Sequence, residues 1–266
     1  MELTMIFGLI GALVIGIVLG LIGGGGSILT VPILVYLLAI NPVLATAYSL
    51  FVVGVTAAVG AIRNIQKKLV DLKTAFVFAV PAFIAVYTTR KFIVPAIPEE
   101  LFTIGDFLVS KNFGIMVFFA IIMLLASYSM IRKKKDVEEV EEKPKFNYPL
   151  IVGEGFGVGI ITGLVGAGGG FLIIPALVIL AKLPMKKAVA TSLLIIAIKS
   201  LIGFIGDVEN LVIDWAFLLT FTGLSVVGIF IGIYLNQFIQ GNKLKKAFGW
   251  FVLLMAIYIL LKETVL

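Results

Sequence analysis

From Leu3 to Ile22 the chain runs without a charge, and comparable apolar runs recur to its end with only short polar stretches between them. A helix crossing the ~30 Å hydrocarbon core of a bilayer needs about 20 consecutive apolar residues. The run lengths match that need, and the composition agrees. Apolar residues make up 61% of the chain and charged ones 14%, with a mean hydropathy of +1.18. Soluble domains are about 45–50% apolar and about 25% charged. Lipid can cover so much apolar surface, whereas water cannot. The 266 residues have room for about eight to ten helical segments with short connections. The expectation is an all-α polytopic protein of the cell membrane, with the lipid bilayer as its main partner.

Several function classes fall away at once. The chain has no cysteine and no histidine. There is no disulfide framework, no thiolate chemistry, no imidazole proton shuttle and no cluster of the usual metal ligands. No nucleophile–base pair stands out, so an enzyme is not expected, and neither a catalytic residue, a metal nor a cofactor is assigned. The net charge is +6, but its Lys and Arg lie in short runs between apolar segments. That pattern reports membrane topology, and nucleic acid is not an expected partner. The first apolar run is not read as a cleaved leader. It lacks a basic n-region and continues into a segment that is repeated later.

The repeat is the next constraint. At an offset of 143, Gly16–Asp71 aligns with Gly159–Asp214 without a gap, and 19 of the 56 pairs are identical. The matches include Pro32 with Pro175, Ser49-Leu50 with Ser192-Leu193, Gly60 with Gly203, and Asp71 with Asp214. Each half divides into four apolar units. They are 3–22 with 27–40, 42–62, 72–94 and 113–131 in the first half. In the second they are 149–165 with 171–181, 185–205, 215–237 and 247–261. The expected organisation is a first repeat over 1–131, a charged cytoplasmic linker over 132–147, and a second repeat over 148–266.

Charge then orients the halves. If the loop after 62, the linker and the loops near Lys186 and Lys245 share one side, that side carries sixteen of the 21 Lys and Arg. Arg90, Lys91, Lys111 and Lys262 fall opposite, and Lys199 falls inside a helix. The basic side is cytoplasmic by the positive-inside rule. Equivalent loops of the two halves then lie on opposite faces, so the repeats are expected to be inverted in topology, with both termini extracytoplasmic. This needs each glycine-broken unit to enter and leave by one face. Residues 27–40 make only about 21 Å of helix, too short to span, so a re-entrant helix hairpin plus three transmembrane helices per repeat is expected. One long helix kinked at the glycines is the rival.

The breaks themselves, Gly23, Gly24, Gly25 and Gly26 with Ser27, and Gly166, Gly168, Gly169 and Gly170, are the candidate binding site. Glycine costs about 1 kcal/mol against alanine in a helix, and irregular backbone survives at membrane depth only where protein or a water-lined cavity satisfies it. Helix N-termini starting beyond each break offer N–H donors and partial positive charge, which suits an anion. Dense helix packing is the alternative use of glycine, and Gly8, Gly11, Gly16, Gly20, Gly153, Gly155, Gly157 and Gly159 are assigned to it. Tyr48, Ser49, Thr191 and Ser192 are candidate hydroxyl donors or interhelical hydrogen bonders. Lys199 is a candidate electrostatic partner of the anion, unless it snorkels or pairs with Glu154. Asp71 and Asp214 read as helix N-caps.

The doubled pattern Gly-x3-Gly-x2-Gly-x-Gly-Gly-x5-Pro-x-Leu spans Gly16–Leu34 and Gly159–Leu177, and Ala-x3-Ser-Leu follows each copy (Ala45–Leu50, Ala188–Leu193). In both copies and their spacing the chain resembles the TauE/SafE sulfite exporter family, also called the 4-toluene sulfonate uptake permease family. The resemblance covers nearly the whole chain. It implies a secondary transporter of sulfite, sulfoacetate and other sulfur-containing or organic anions. Tyr48, opposite Thr191, departs from the symmetric pattern. The expectation is alternating access with a small anionic substrate, leaving open proton coupling and assembly as a homodimer. An uncoupled anion channel, and a carrier of a non-sulfur organic acid, stand as alternatives.

Overall fold

The computed structural model describes residues 2–24, 26–104, 107–131, 148–236, 238 and 241–264. It is a bundle of helices with one small hairpin. The first half holds α1 (Glu2–Ile22), α2 (Ser27–Pro32, extended by a π turn over Ile33–Leu37) and α3 (Pro42–Gln66). These are followed by α4 (Leu72–Thr88), which runs through a π turn at Thr89–Ile93 into α5 (Val94–Ala96). Strands β1 (Glu100–Ile104) and β2 (Phe107–Ser110) pair antiparallel before α6 (Lys111–Ile131). The second half holds α7 (Tyr148–Val165), α8 (Gly170–Ile179), α9 (Met185–Val208), α10 (Trp215–Leu235) and α11 (Gly241–Thr264). Among the described residues, seven helices are long and apolar enough to cross a membrane, and Ser27–Leu37 and Pro149–Val165 are shorter apolar ones. The charged linker at 132–147 lies outside the described residues.

The helix ends follow from local chemistry. The Asn41 side chain accepts the Val43 N–H, and Pro42 occupies the first turn of α3, where a missing N–H costs nothing. Asp71 and Asp214 cap α4 and α10 by accepting from Thr74 and Phe217, as their spacing predicts. Ala39 and Lys182, which are equivalent in the repeat, both turn left-handed (φ 54° and 49°) just past the half-length helices α2 and α8.

Packing follows the same repeat. Helix α1 lies on α10 so closely that a Cβ on Gly16 or Gly20 would meet the backbone of Ser225, Gly228, Ile229 or Gly232. The equivalent positions of the second half do likewise: Gly159 and Gly163 of α7 press on Ala82, Ala85 and Thr89 of α4. In each pair the numbers rise together, so the helices run parallel. Small residues four apart allow such an approach, and dispersion across the contact replaces the hydrophobic drive that lipid cannot supply. At the centre, α3 and α9 run antiparallel: Leu50 meets Gly203, Gly54 meets Leu201, and Gly60 meets Leu193. Large apolar side chains such as Phe7, Phe76, Leu125, Leu219 and Leu254 face outward, the surface a lipid solvent requires.

Three expectations need correcting. Asp207, read in the loop beyond residue 205, is buried within α9, which extends to Val208, and Arg90, counted with the basic residues of the outer side near the end of the 72–94 unit, is buried in a helical segment that continues to Ala96. The stretch around 100–110, read as connection, forms the hairpin. Gly153 and Gly157, assigned to packing, face open space, whereas Gly8, Gly11, Gly155 and their partners are tightly engaged.

Candidate functional site

Helices α2 and α8 begin where the two glycine breaks meet. Gly26 caps α2, and a Cβ there would lie 2.6 Å from the Leu19 nitrogen, so the break folds straight back on α1. Gly169 caps α8 in the left-handed conformation, φ 70°, a backbone shape L side chains adopt only with strain. Gly23 (φ 85°) and Gly166 (φ 70°) turn the same way at the ends of α1 and α7. The two breaks touch. Gly24 and Gly170 approach backbone to backbone, and a Cβ on Gly168 would lie 3.1 Å from Cβ of Ser27. No side chain larger than hydrogen fits between Gly24 and Gly170. Ser27 Oγ donates to the Gly24 carbonyl at 2.8 Å, pinning the first break. Gly25 lies outside the described residues.

Lys199 reaches this meeting point from α9. Its Nζ would lie 3.4 Å from a Cβ on Gly169, and it is fully buried, so it does not snorkel. Its one hydrogen bond among the described residues goes to Thr162 Oγ1 at 2.8 Å. Thr162 spends its own proton on the Val158 carbonyl at 2.7 Å, which fixes the hydroxyl as an acceptor toward the ammonium. The ion pairs among the described residues are Arg90–Asp207, Lys91–Glu209 and Lys111–Glu99, and none involves Lys199. Glu154 does not pair with it. A buried ammonium has three donors, and Thr162 takes one of them.

The hydroxyls named from the sequence sit elsewhere. Tyr48 Oη accepts the Asp214 N–H at 2.7 Å, and Thr191 Oγ1 accepts the Asp71 N–H at 3.0 Å. These two bonds are equivalent in the repeat and tie the start of α10 to α3 and the start of α4 to α9. Ser192 Oγ donates to the Val189 carbonyl. Ser49 Oγ is buried with no hydrogen-bond partner among the described residues. The structure therefore gathers Gly24, Gly168, Gly169, Gly170, Ser27 and Lys199, adds Thr162, and leaves Tyr48, Thr191 and Ser192 holding other backbone.

Sequence reasoning passed over Thr162 although its signal was present. It is the one polar residue of Gly159–Gly163, where the first half has Leu19. A lysine with no carboxylate partner among the described residues, glycine backbone and a fixed hydroxyl are groups that can receive an anion.

Comparison with known proteins identifies the family. The family model of the sulfite exporter TauE/SafE matches residues 8–259. A probable membrane transporter protein of Xylella fastidiosa strain 9a5c is 26% identical, over 92% of this chain and 91% of its own. The probable membrane transporter protein YunE of Bacillus subtilis strain 168 is 29% identical, over 86% and 87%. A probable membrane transporter protein of Methanocaldococcus jannaschii is 38% identical over a shorter stretch, 41% of this chain and 43% of its own. No solved structure matches the chain. Seven membrane-length helices, the doubled glycine motif and the near-complete family match place the chain in the TauE/SafE sulfite exporter family of membrane transporters.

Proposed function

We propose that the chain is a secondary transporter that moves a small sulfur-containing or organic anion, sulfite or an organosulfonate first, across the cell membrane by alternating access. The observation that carries this reading is Lys199, buried without a carboxylate partner among the described residues where the α2 and α8 N-termini converge. An unpaired buried charge is expensive, and an intramembrane cation is retained for what it binds. An anion seated beside the two breaks, on the Lys199 side, receives the positive ends of two helices and the Lys199 ammonium. Glycine lets it approach the backbone.

In this reading residues 1–131 and 148–266 are inverted repeats joined by a cytoplasmic linker at 132–147. The antiparallel pairing of α3 with α9, whose sequences match in the repeat alignment, supports inversion. So does the return of α2 along α1, with Gly8 against Leu38 and Gly11 against Ile33, which brings the chain back toward the face it left. Unwound segments at the repeat interface are the usual seat of substrate in such folds. The cradle comprises Gly24, Ser27, Gly168, Gly169, Gly170, Thr162 and Lys199.

The test is sulfite and sulfoacetate flux into proteoliposomes, with counterflow to separate a carrier from a channel. Lys199→Gln keeps a polar, unbranched side chain one atom shorter but removes the charge. It should lower kcat/KM at least about tenfold, the equivalent of ~1.4 kcal/mol, without shifting the elution profile. Unchanged flux through folded Lys199→Gln overturns the site. A wild type that carries carboxylates but no sulfur anion overturns the substrate class.

A further inference from the structure

A second buried cation lies at the end of the bundle where α3 begins and α9 ends. Arg90 sits in the π turn at Thr89–Ile93 and is fully buried. Its Nε lies 3.1 Å from Asp207 Oδ2, side-on and without the alignment of a hydrogen bond. Nη1 and Nη2 have no hydrogen-bond acceptor among the described residues, and neither does the neighbouring Thr89 Oγ1. Buried polar groups are nearly always paired, so a guanidinium with its outer fork unused needs a reason. That fork is the group that grips two oxygens of an oxyanion at once. π turns also concentrate at functional positions.

Two further facts tie Arg90 to a route. Asp207 lines a cavity of about 270 Å³ together with Asn41, Glu99, Lys111, Asn112 and Asn210. At about 30 Å³ per water, that is room for a small ion with part of its hydration. Lys111 in that wall is itself buried, and Asn112 Oδ1 has no partner among the described residues. In the other direction, Gly206 lies about 10 Å beyond Lys199 on the same face of α9, and a Cβ on Gly206 would lie 3.2 Å from Cβ of Arg90. Thr89 packs on Gly163, next to Thr162, the hydroxyl that holds Lys199. The cavity, Arg90 and the Lys199 cradle thus follow one another along α9.

The repeat shows that this pair is not required by the scaffold. In the repeat alignment Asp207 corresponds to Asn64, and the same offset of 143 carried past Asp71 sets Arg90 against Ile233. The capping aspartates and helix-crossing glycines occur in both halves, but the ion pair occurs in one.

We propose that Arg90 is a second anion-binding group, between the cavity and the central cradle, and that Asp207 is the internal anion which occupies it until the travelling oxyanion displaces it. The inference rests on the anion-transport reading. Asp207 holds the guanidinium in place and shields its charge in the resting protein. The incoming anion takes the two free Nη groups, and Asp207 swings toward Lys111 and the asparagines of the cavity wall. Site-to-site transfer follows, because each anion leaves one cation for the next without crossing apolar protein alone.

The experiment uses sulfite counterflow in proteoliposomes with three forms of the full chain. Arg90→Ile combined with Asp207→Asn installs the two residues of the symmetry-related position and leaves no orphaned charge. It should fold, with the elution profile and thermal melt of the wild type, and should raise KM for sulfite at least tenfold. Asp207→Asn alone removes the competitor and should lower KM several-fold while slowing turnover. A pair that merely braced the helices gives the reverse pattern: the double variant keeps the wild-type KM, and that result overturns the inference even where Asp207→Asn fails to fold. A wild type that carries no anion overturns the transport reading instead, which separates the two failures.

Discussion

Glycines that look alike in the sequence do different work, and only contact geometry separates them. Gly16 and Gly157 both stand in glycine-spaced stretches of a first helix. A Cβ on Gly16 would overlap the Ser225 carbonyl on α10, whereas one on Gly157 meets nothing within 4 Å. Gly16→Val therefore has to push apart a pair of helices whose contact is their backbone, and overpacking of that kind costs about 1–3 kcal/mol. Gly157→Ala removes backbone freedom at no steric cost and should be neutral or stabilising by up to ~1 kcal/mol. Thermal unfolding in detergent checks both. Equal shifts for the two variants would mean that α1 and α10 are not held as described. The same difference explains why Gly153 and Gly157 were misread. Spacing four apart marks one side of a helix, but it does not say whether that side meets another helix or lipid.

At the scale of elements, the two glycine breaks were legible because glycine runs inside apolar segments have few uses. The run from Gly23, the shortness of 27–40 and the match at Gly166 led to both half-helices, and α2 and α8 start at Ser27 and Gly170. The Arg90–Asp207 pair was not legible. Charge in a membrane sequence marks the aqueous faces by default, and both residues stand near helix ends, so Asp207 was placed in a loop and Arg90 on the outer side. A mutual neutralisation that keeps both inside cannot be read along one strand of sequence, since α4 and α9 are distant in the chain. The β hairpin had a local signal, Phe, Thr, Ile and Val on either side of Gly105-Asp106, of the kind that turns a strand back, but the search for long apolar runs passes over short strands. The α8 start carries its own prediction. Gly169→Ala puts a side chain on a residue at φ 70°, where it overlaps Thr162 and crowds Lys199 Nζ. The left-handed backbone alone costs about 1–2 kcal/mol. The melt should fall by that amount, and stabilisation of the protein by sulfite in a thermal-shift titration should weaken several-fold. A titration indistinguishable from wild type would remove Gly169 from the cradle.

For the whole molecule, the question is whether the two halves face opposite ways in the membrane. The contacts fix the halves relative to each other, since α3 and α9 occupy matching places in the repeat and run antiparallel. Their C-terminal loops therefore leave the bundle at opposite ends. One carries Lys67 and Lys68, just beyond Arg63 in the last turn of α3, and the other carries Glu209 and Asp214. A basic loop crosses a membrane reluctantly and an acidic one does not, so sequence charge and helix direction point the same way from independent premises. The chain has no cysteine, so single cysteines report without background. Lys68 and Val212 are both exposed, and Lys68 aligns with Leu211 in the repeat, so the two probes sit in corresponding loops. In intact cells an impermeant maleimide should label Val212→Cys fully, and Lys68→Cys only after permeabilisation. Labelling of both from the same side would end the inverted arrangement and the antiparallel packing of α3 on α9 with it, because two parallel halves cannot present these loops to opposite faces. Opposite labelling would make the end where α3 begins, with its cavity, Lys111 and the Arg90–Asp207 pair, the extracytoplasmic mouth, and a sulfite counterflow assay could then test that mouth from a known side.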